Sequence, residues 1–286
     1  MWEREGATWP NHELSRFVTA AGLRWHVQQA GSGPVMLLIH GTGASTHSWR
    51  RLLPLLAADY TVLAIDLPGH GFTDPARGNQ SSIAGMSAAV AALLAQLRMS
   101  PEYCVGHSAG AVVLCRLCLD RHIAPRRILS LNGAFLPLAG AAGVFFAPIA
   151  KFLAGASLVP RFVAWSAGSS AQVARLIAAT GSRLDAEGVE LYARLVRRPR
   201  HVAGALEMMG NWNLYAFERD LMKLETPLTL VVAENDRTVP PAQALTVKQR
   251  VAGAEIHRLP ALGHLAHEEA PEQVAGLIRR LCRAPQ

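Results

Sequence analysis

The sequence predicts an α/β protein: a mostly parallel sheet with helices on both faces, interrupted by an inserted helical stretch. Three observations carry this prediction. Short apolar runs such as residues 34–39 and Thr61–Ile65 lack the alternation of a half-exposed strand, as strands buried on both faces do. These runs alternate with helix-like stretches, the order that builds parallel sheets. The polar and glycine-rich clusters fall just after the apolar runs, where open α/β sheets keep their ligand sites.

Taken in order, Ser15–Ala20 and residues 23–29 flank Ala21-Gly22 and read as a hairpin, with Leu23, Trp25 and Val27 alternating. Residues 34–39 form a buried strand that ends at His40-Gly41-Thr42-Gly43. Trp49, Leu52, Leu53 and Leu56 then mark an amphipathic helix. Thr61–Ile65 is the next buried strand and closes on Asp66-Leu67-Pro68-Gly69-His70-Gly71, a tight glycine-rich loop. Ile83–Leu97 is an alanine-rich helix with Ile83, Met86, Val90, Leu93 and Leu97 on one face. Tyr103, Cys104 and Val105 begin a strand, residues 111–119 a helix, and residues 128–132 a further strand. From about Gly133 to Tyr215 there are apolar helical segments but no buried strand, which reads as a helical cap. The alternation then resumes with a strand at Leu228–Ala233, a helix at 242–251, a strand at Glu255–Leu259 and a closing helix at 272–281. The expected organisation is therefore a core of 1–133 and 216–286 with a cap of 134–215.

A chain of 286 residues, half of them apolar and 17% charged, suits one large domain with a substantial core. The formal charge of +7 comes from arginines scattered in pairs, such as Arg50-Arg51, Arg126-Arg127 and Arg279-Arg280. With no polybasic run, they read as solvated surface, and no nucleic-acid partner is expected. Cys104, Cys115, Cys118 and Cys282 read as reduced thiols of a cytosolic protein. Cys115-x-x-Cys118 lies within a predicted helix and has no second pair to complete a zinc site, so it reads as packing; no metal or cofactor is expected. The first thirteen residues carry no apolar secretory core. Residues 128–150 are uncharged and long enough to span a bilayer, but Asn132, Pro137, Pro148 and several glycines break them up.

The chemistry centres on Gly106-His107-Ser108-Ala109-Gly110, a G-x-S-x-G pattern where a strand gives way to a helix. There the turn is so tight that a Cβ at either glycine would strike a neighbouring element, and the serine at the apex presents its hydroxyl to a pocket. A serine hydroxyl needs a base, and the base needs a carboxylate to orient it. Asp236 follows the Leu228–Ala233 strand and His264 follows the Glu255–Leu259 strand, giving the order Ser, Asp, His. Glu234 competes with Asp236, but the loop position before Val239-Pro240-Pro241 favours Asp236. His267 competes with His264, but reads as a helix-start or surface residue. His107 points away from Ser108 and reads as packing or pocket lining. Two N–H groups are expected to hold a developing oxyanion, those of Ala109 at the helix start and of Thr42 between Gly41 and Gly43.

With elbow, triad order and His-Gly loop together, the chain resembles the α/β-hydrolase superfamily. Within it, Trp9-Pro10-Asn11, Gly41-Thr42-Gly43-Ala44-Ser45-Thr46-His47-Ser48-Trp49-Arg50, Leu131-Asn132-Gly133-Ala134 and Gly263-His264-Leu265-Ala266-His267-Glu268-Glu269 resemble the magnesium-chelatase accessory proteins of bacteriochlorophyll biosynthesis. That resemblance implies a part in handling tetrapyrrole around magnesium insertion, with magnesium chelatase as a partner and a porphyrin as a candidate small-molecule ligand. It implies no particular reaction. Two readings follow: a serine hydrolase acting on an ester, thioester or activated C–C bond, or a tetrapyrrole carrier without turnover.

The cap is expected to decide what enters. Phe145 and Phe146 belong to one apolar patch, Met208, Met209 and Trp212 to another, and a pocket wall is expected from these together with His40 and His107. Arg194, Arg197, Arg198 and Arg200 form a solvated helix end, or else meet porphyrin propionates or anionic lipid headgroups. The last reading would put the protein at the face of the inner membrane.

Overall fold

The computed structural model describes residues 2–137, Pro160, Ala164 and 169–283. Its strands are β1 (Ser15–Ala20), β2 (Leu23–Ala30), β3 (Val35–Ile39), β4 (Thr61–Ile65), β5 (Tyr103–His107), β6 (Arg127–Leu131), β7 (Leu228–Ala233) and β8 (Glu255–Leu259). They form one sheet in the order β1-β2-β4-β3-β5-β6-β7-β8. The hairpin β1–β2 and the join of β2 to β4 are antiparallel, and every later pairing is parallel. Ala21 and Gly22 both take positive φ (50° and 74°), the twist that a two-residue hairpin turn needs.

Both faces of the central strands are covered, which is why they read as unbroken apolar runs. Leu37 and Ile39 of β3 face one core layer with Leu63 and Ile65 of β4 and Cys104 of β5. Met36 and Leu38 face the other, with Val62, Ala64 and Val105. The first layer is closed by α3 (Ile83–Leu97) and α4 (Ala109–Leu119), the second by α2 (Leu52–Leu56) and α11 (Pro271–Arg283). Burying one such aliphatic side chain stabilises by roughly 1.5–3 kcal/mol, so these two layers hold the sheet. Cys104 and Cys115 lie in the first layer, and all four cysteines are free thiols.

Between β6 and β7 the described residues contribute α5 (Ser170–Ala179), α6 (Ala186–Val196), α7 (Pro199–Asn211) and α8 (Leu214–Leu221). Helix α8 crosses position 215, and its Phe217 and Leu221 belong to the first core layer. A boundary at 215–216 therefore cuts through a helix whose apolar face is already part of the core. The remaining helices are α1 (Trp2–Glu5), α9 (Gln243–Arg250) and α10 (Ala266–Glu269). No helix among the described residues is long and apolar enough to cross a membrane.

Two expectations need correction. The helix expected from Trp49 to Leu56 is a 3-10 turn, Thr46–Trp49, followed by the short α2. It breaks at Arg50-Arg51 because Arg50 turns inward to a buried carboxylate, Glu268, at 2.5 Å. The paired arginines are also not all solvated: Arg50 and Arg127 are buried, the latter bonded to Thr229 and Glu255.

Candidate active site

The order of strands explains where the site falls. The chain runs from β3 to β4 on one side and later returns to β5 on the other, so the loops leaving β3 and β5 diverge and open a crevice between them. There Gly41 approaches the elbow so closely that a Cβ would lie 3.1 Å from the Ser108 Cβ and 2.9 Å from His107 Nδ1. The elbow itself requires its two glycines. A Cβ on Gly106 would sit 2.5 Å from the Ala111 nitrogen, and one on Gly110 would sit 2.1 Å from the Ile39 carbonyl oxygen. Ser108 takes φ 50° and ψ −116°, a region that costs a non-glycine residue about 1–3 kcal/mol and persists only where its surroundings enforce it. They do so here: Ser108 N–H donates to Leu131 O (2.9 Å), and Ala111 and Ala134 N–H both donate to Ser108 O (3.2 Å each).

Strands β5 to β8 are consecutive neighbours, so the loops after them lie side by side. His264 Nδ1–H donates to Asp236 Oδ2 at 2.8 Å, with both side chains buried. The other oxygen of Asp236 accepts the N–H groups of Thr238 (2.7 Å) and Val239 (2.9 Å), which fixes the carboxylate plane. With Nδ1 carrying the proton, Nε2 of His264 keeps its lone pair, the tautomer a general base needs. Ala109 is the first residue of α4, where an N–H has no acceptor within the helix. Thr42 sits mid-turn where Ala44 N–H donates to Gly41 O, and its hydroxyl donates to Met208 Sδ on α7 at 3.6 Å.

Asn132 is the residue that sequence reasoning passed over. It leaves β6 with φ 49°; its Oδ1 accepts Ala233 N–H (2.8 Å), and its Nδ2 donates to the carbonyls of Gly263 (3.2 Å) and His264 (2.9 Å). It thus ties the end of β7, which leads to Asp236, to the loop that carries His264. A polar residue directly after a fully buried strand was the available signal. Asp66 after β4 gave the same one. Its carboxylate, wholly buried, takes the N–H of Thr46 (2.6 Å) and of Phe72 (2.9 Å) and lies 2.8 Å from His26 Nδ1. Burial works to raise its pKa, but the His26 ring, with help from His40 and the Phe72 N–H, overcomes this and holds it well below the usual carboxylate range.

The expected pocket residues part company. His40 is fully buried: its Nδ1–H donates to Gly41 O (2.7 Å) and its Nε2 accepts Leu67 N–H (3.0 Å), so it clamps the loops after β3 and β4 together. His107 lies between the rings of His264 and His267 and donates from Nε2 to His264 O at 3.0 Å. Both rings hold backbone of neighbouring loops. His267 is at a helix start but not at the surface; it is 1% exposed and packs on Trp49. Met209 and Trp212 are half-buried on or just after α7, and Trp212 Nε1 donates to Ser81 O. Phe145 and Phe146 lie outside the described residues.

The helices between β6 and β7 reach back to the site at several points. Ser182 Oγ accepts Leu265 N–H (2.8 Å), and Thr180 O accepts Arg237 N–H (3.1 Å). His201 on α7 accepts Gly71 N–H at Nδ1 (3.1 Å) and donates from Nε2 to Gly43 O (3.0 Å), joining the loops after β3 and β4. Burial lowers its pKa to about 4, so it is neutral at neutral pH, as the accepting Nδ1 requires. Arg194 and Arg198 do not form a solvated helix end. They bind Glu5 and carbonyls of the N-terminal segment and of Gly71, against the faces of Trp9 and Phe72. Arg197 pairs with Glu190 at 2.6 Å. Among the described residues, no group of three or more histidine, cysteine or acidic side chains is placed to hold a metal ion.

Fold and site together define a member of the α/β-hydrolase family, and the model of that family matches residues 36–277 of the chain, which belongs to it. The chain is 33% identical over 274 residues, 95% of either protein, to the magnesium-chelatase 30 kDa subunit of Rhodobacter capsulatus. It is 29% identical to pyrrolizixenacetamide deacetylase of Xenorhabdus hominickii, covering 87% of this chain and 91% of that one. Among solved structures, an α/β-hydrolase fold protein from Burkholderia ambifaria superposes with a TM-score of 0.77 at 24% identity, over 93% of this chain and 97% of that one.

Proposed function

We propose that this chain is a serine hydrolase whose substrate is a small molecule with an ester, thioester or activated C–C bond. The observation that carries this reading is the buried 2.8 Å hydrogen bond from His264 to Asp236 at the strand end beside the strained Ser108 elbow. In this mechanism Ser108 Oγ attacks the carbonyl carbon and passes its proton to His264 Nε2. Asp236 orients the imidazole and stabilises its charge. The N–H groups of Ala109 and Thr42 hold the oxyanion of the tetrahedral intermediate. His264 then returns the proton to the leaving group, and water, activated by the same histidine, releases the acyl enzyme. The stretch 134–215 acts as a cap that selects the substrate.

The kinship to the magnesium-chelatase subunit favours a setting in bacteriochlorophyll biosynthesis, in association with magnesium chelatase, and a second reading in which the capped pocket holds a tetrapyrrole without turnover. One experiment separates the two. Wild type and Ser108→Ala are treated with a fluorophosphonate probe and titrated with protoporphyrin IX. Labelling of wild type and not of the variant is expected for a hydrolase; an unlabelled wild type would sink that reading. Porphyrin binding that survives in the unlabelled variant supports the carrier, and absence of binding removes it.

A further inference from the structure

Away from the triad, a cavity of about 180 Å³ opens where the N-terminal segment, the loop after β4 and the start of α7 meet; its lining includes Trp2, Phe72, Arg24, Asp74, Arg198 and Arg200. Three features of it agree. First, the guanidinium groups of Arg24 and Arg200 have no carboxylate partner among the described residues, although Arg24 lies over the Phe17 ring. Second, Arg198 is 93% buried by its side chain and its terminal nitrogens are used on Glu5 and Gly71 O. Its Nε–H, however, finds no acceptor among the described residues. A buried donor left unmatched is costly, and such groups ordinarily have a partner. Third, α7 starts here with Arg198 as its cap residue, Pro199 inside, no side-chain cap bond and no acidic residue in its first turn. The free N–H groups and positive end of a thirteen-residue helix are therefore turned over to whatever occupies the cavity. The charge opposing this is small. Among the described lining residues Asp74 is the one acid, and its Oδ2 already accepts Arg24 N–H at 3.0 Å.

We infer that this cavity binds a small anion with at least two acceptor oxygens, a phosphate or a carboxylate-bearing metabolite, at a site separate from Ser108. The planar forks of Arg24 and Arg200 match two such oxygens, and the start of α7 offers further donors. The inference stands whether or not Ser108 turns over. An occupant would brace α7 against the Gly71 loop, next to His201 and its bond to Gly43 O.

The test is calorimetric titration of the full chain at low ionic strength, with inorganic phosphate and with succinate, against a sodium chloride control. Saturable binding of phosphate or succinate is expected. The double variant Arg24→Ala, Arg200→Ala should bind at least about tenfold more weakly. Lysines at the same two positions should recover part of the loss. Arg197→Ala, whose partner is Glu190, should bind as wild type. Melting curves in anion-free buffer check that each variant is folded. The idea is overturned by the absence of binding beyond chloride, by a double alanine variant that binds like wild type, or by an equal loss in Arg197→Ala, which would reduce the effect to bulk charge.

Discussion

Asn132 is buried, yet all three of its side-chain bonds go to backbone groups distant in the chain: Ala233 N–H at the end of β7, and Gly263 O and His264 O in the loop after β8. Replacing it with alanine leaves a buried N–H without an acceptor, which costs about 1–3 kcal/mol. It also places a residue with no local hydrogen bond in the left-handed region, for about 1–2 kcal/mol more. The His264 carbonyl would lose one of its two donors, keeping only His107 Nε2, and a displacement of about 1 Å at a reacting group can cost a hundredfold in rate. Asn132→Ala should therefore lower the melting temperature and cut kcat on a chromogenic ester by between about ten- and a hundredfold, with KM less affected; a wild-type kcat would sink the role. Asp236→Asn should do more, about ten-thousandfold in kcat, because an amide cannot hold the required tautomer. Ser108, Asp236 and His264 were legible as candidates because each lies in a loop or turn just after a strand, at one, three and five residues past β5, β7 and β8, in the order Ser, Asp, His. Asn132 was not, since its partners lie about a hundred residues on and no periodicity links them. For His40 and His107 the sequence placed the residue beside the motif but not the direction of its ring, which in both turns to backbone.

At the level of elements, the helices between β6 and β7 are fastened to the core by polar ties as well as by apolar packing. Arg50, after β3, meets Glu268 of α10 at 2.5 Å; Tyr192 of α6 donates to the other oxygen of Glu268 at 2.7 Å. Asp185, which caps α6, lies 3.4 Å from Arg50. Both groups of the inner pair are buried, so removing Glu268 leaves Arg50 with only the half-exposed Asp185 as a carboxylate partner, a loss of up to about 3–5 kcal/mol. Glu268→Ala is thus expected to lose several kcal/mol in urea unfolding, and Glu268→Gln less, because an amide oxygen still accepts from Arg50 or Tyr192. An unchanged urea midpoint in the alanine variant would show that the tie adds nothing. This network also explains why the helix at Trp49–Leu56 was read too long. The apolar spacing is real, since Trp49, Leu52, Leu53 and Leu56 are all buried, but the burial of Arg50 overrides the local pattern. The parallel strands carried no such conflict. With both faces covered, β3, β4 and β7 need little but apolar residues, and so their runs were plain in the sequence, whereas the edge strand β8 carries Glu255, His257 and Arg258.

Across the whole molecule, six buried histidines are used as neutral building blocks. Eight of its eleven histidines are buried. Burial pushes down the pKa values of His40, His47, His70 and His107, and brings those of His201 and His267 to about 4 and about 3. An unfolded histidine titrates near 6.5, so as pH falls below that value the unfolded chain takes up protons that the folded one refuses. The stability these six groups lend is complete above about pH 6.5 and is lost on acidification. Glu268 runs the other way: burial raises it to about 7 against the pull of Arg50, so the folded state binds its proton first between about pH 7 and 4.5. It is one group against six. Each histidine contributes up to about 1.4 kcal/mol per pH unit, so even half of them acting together would remove roughly 4 kcal/mol per unit. Against a typical stability of about 5–15 kcal/mol, that slope predicts unfolding somewhere between about pH 5 and 3. Urea midpoints measured from pH 7.5 downward should hold level to about 6.5 and then fall steeply. His201→Asn should flatten the falling limb by about one histidine's share, since asparagine binds no proton there. A profile that stays level down to pH 5 would mean that these rings accept protons in the folded state, and that the bond from His201 to Gly71 N–H is not what keeps α7 on the loop.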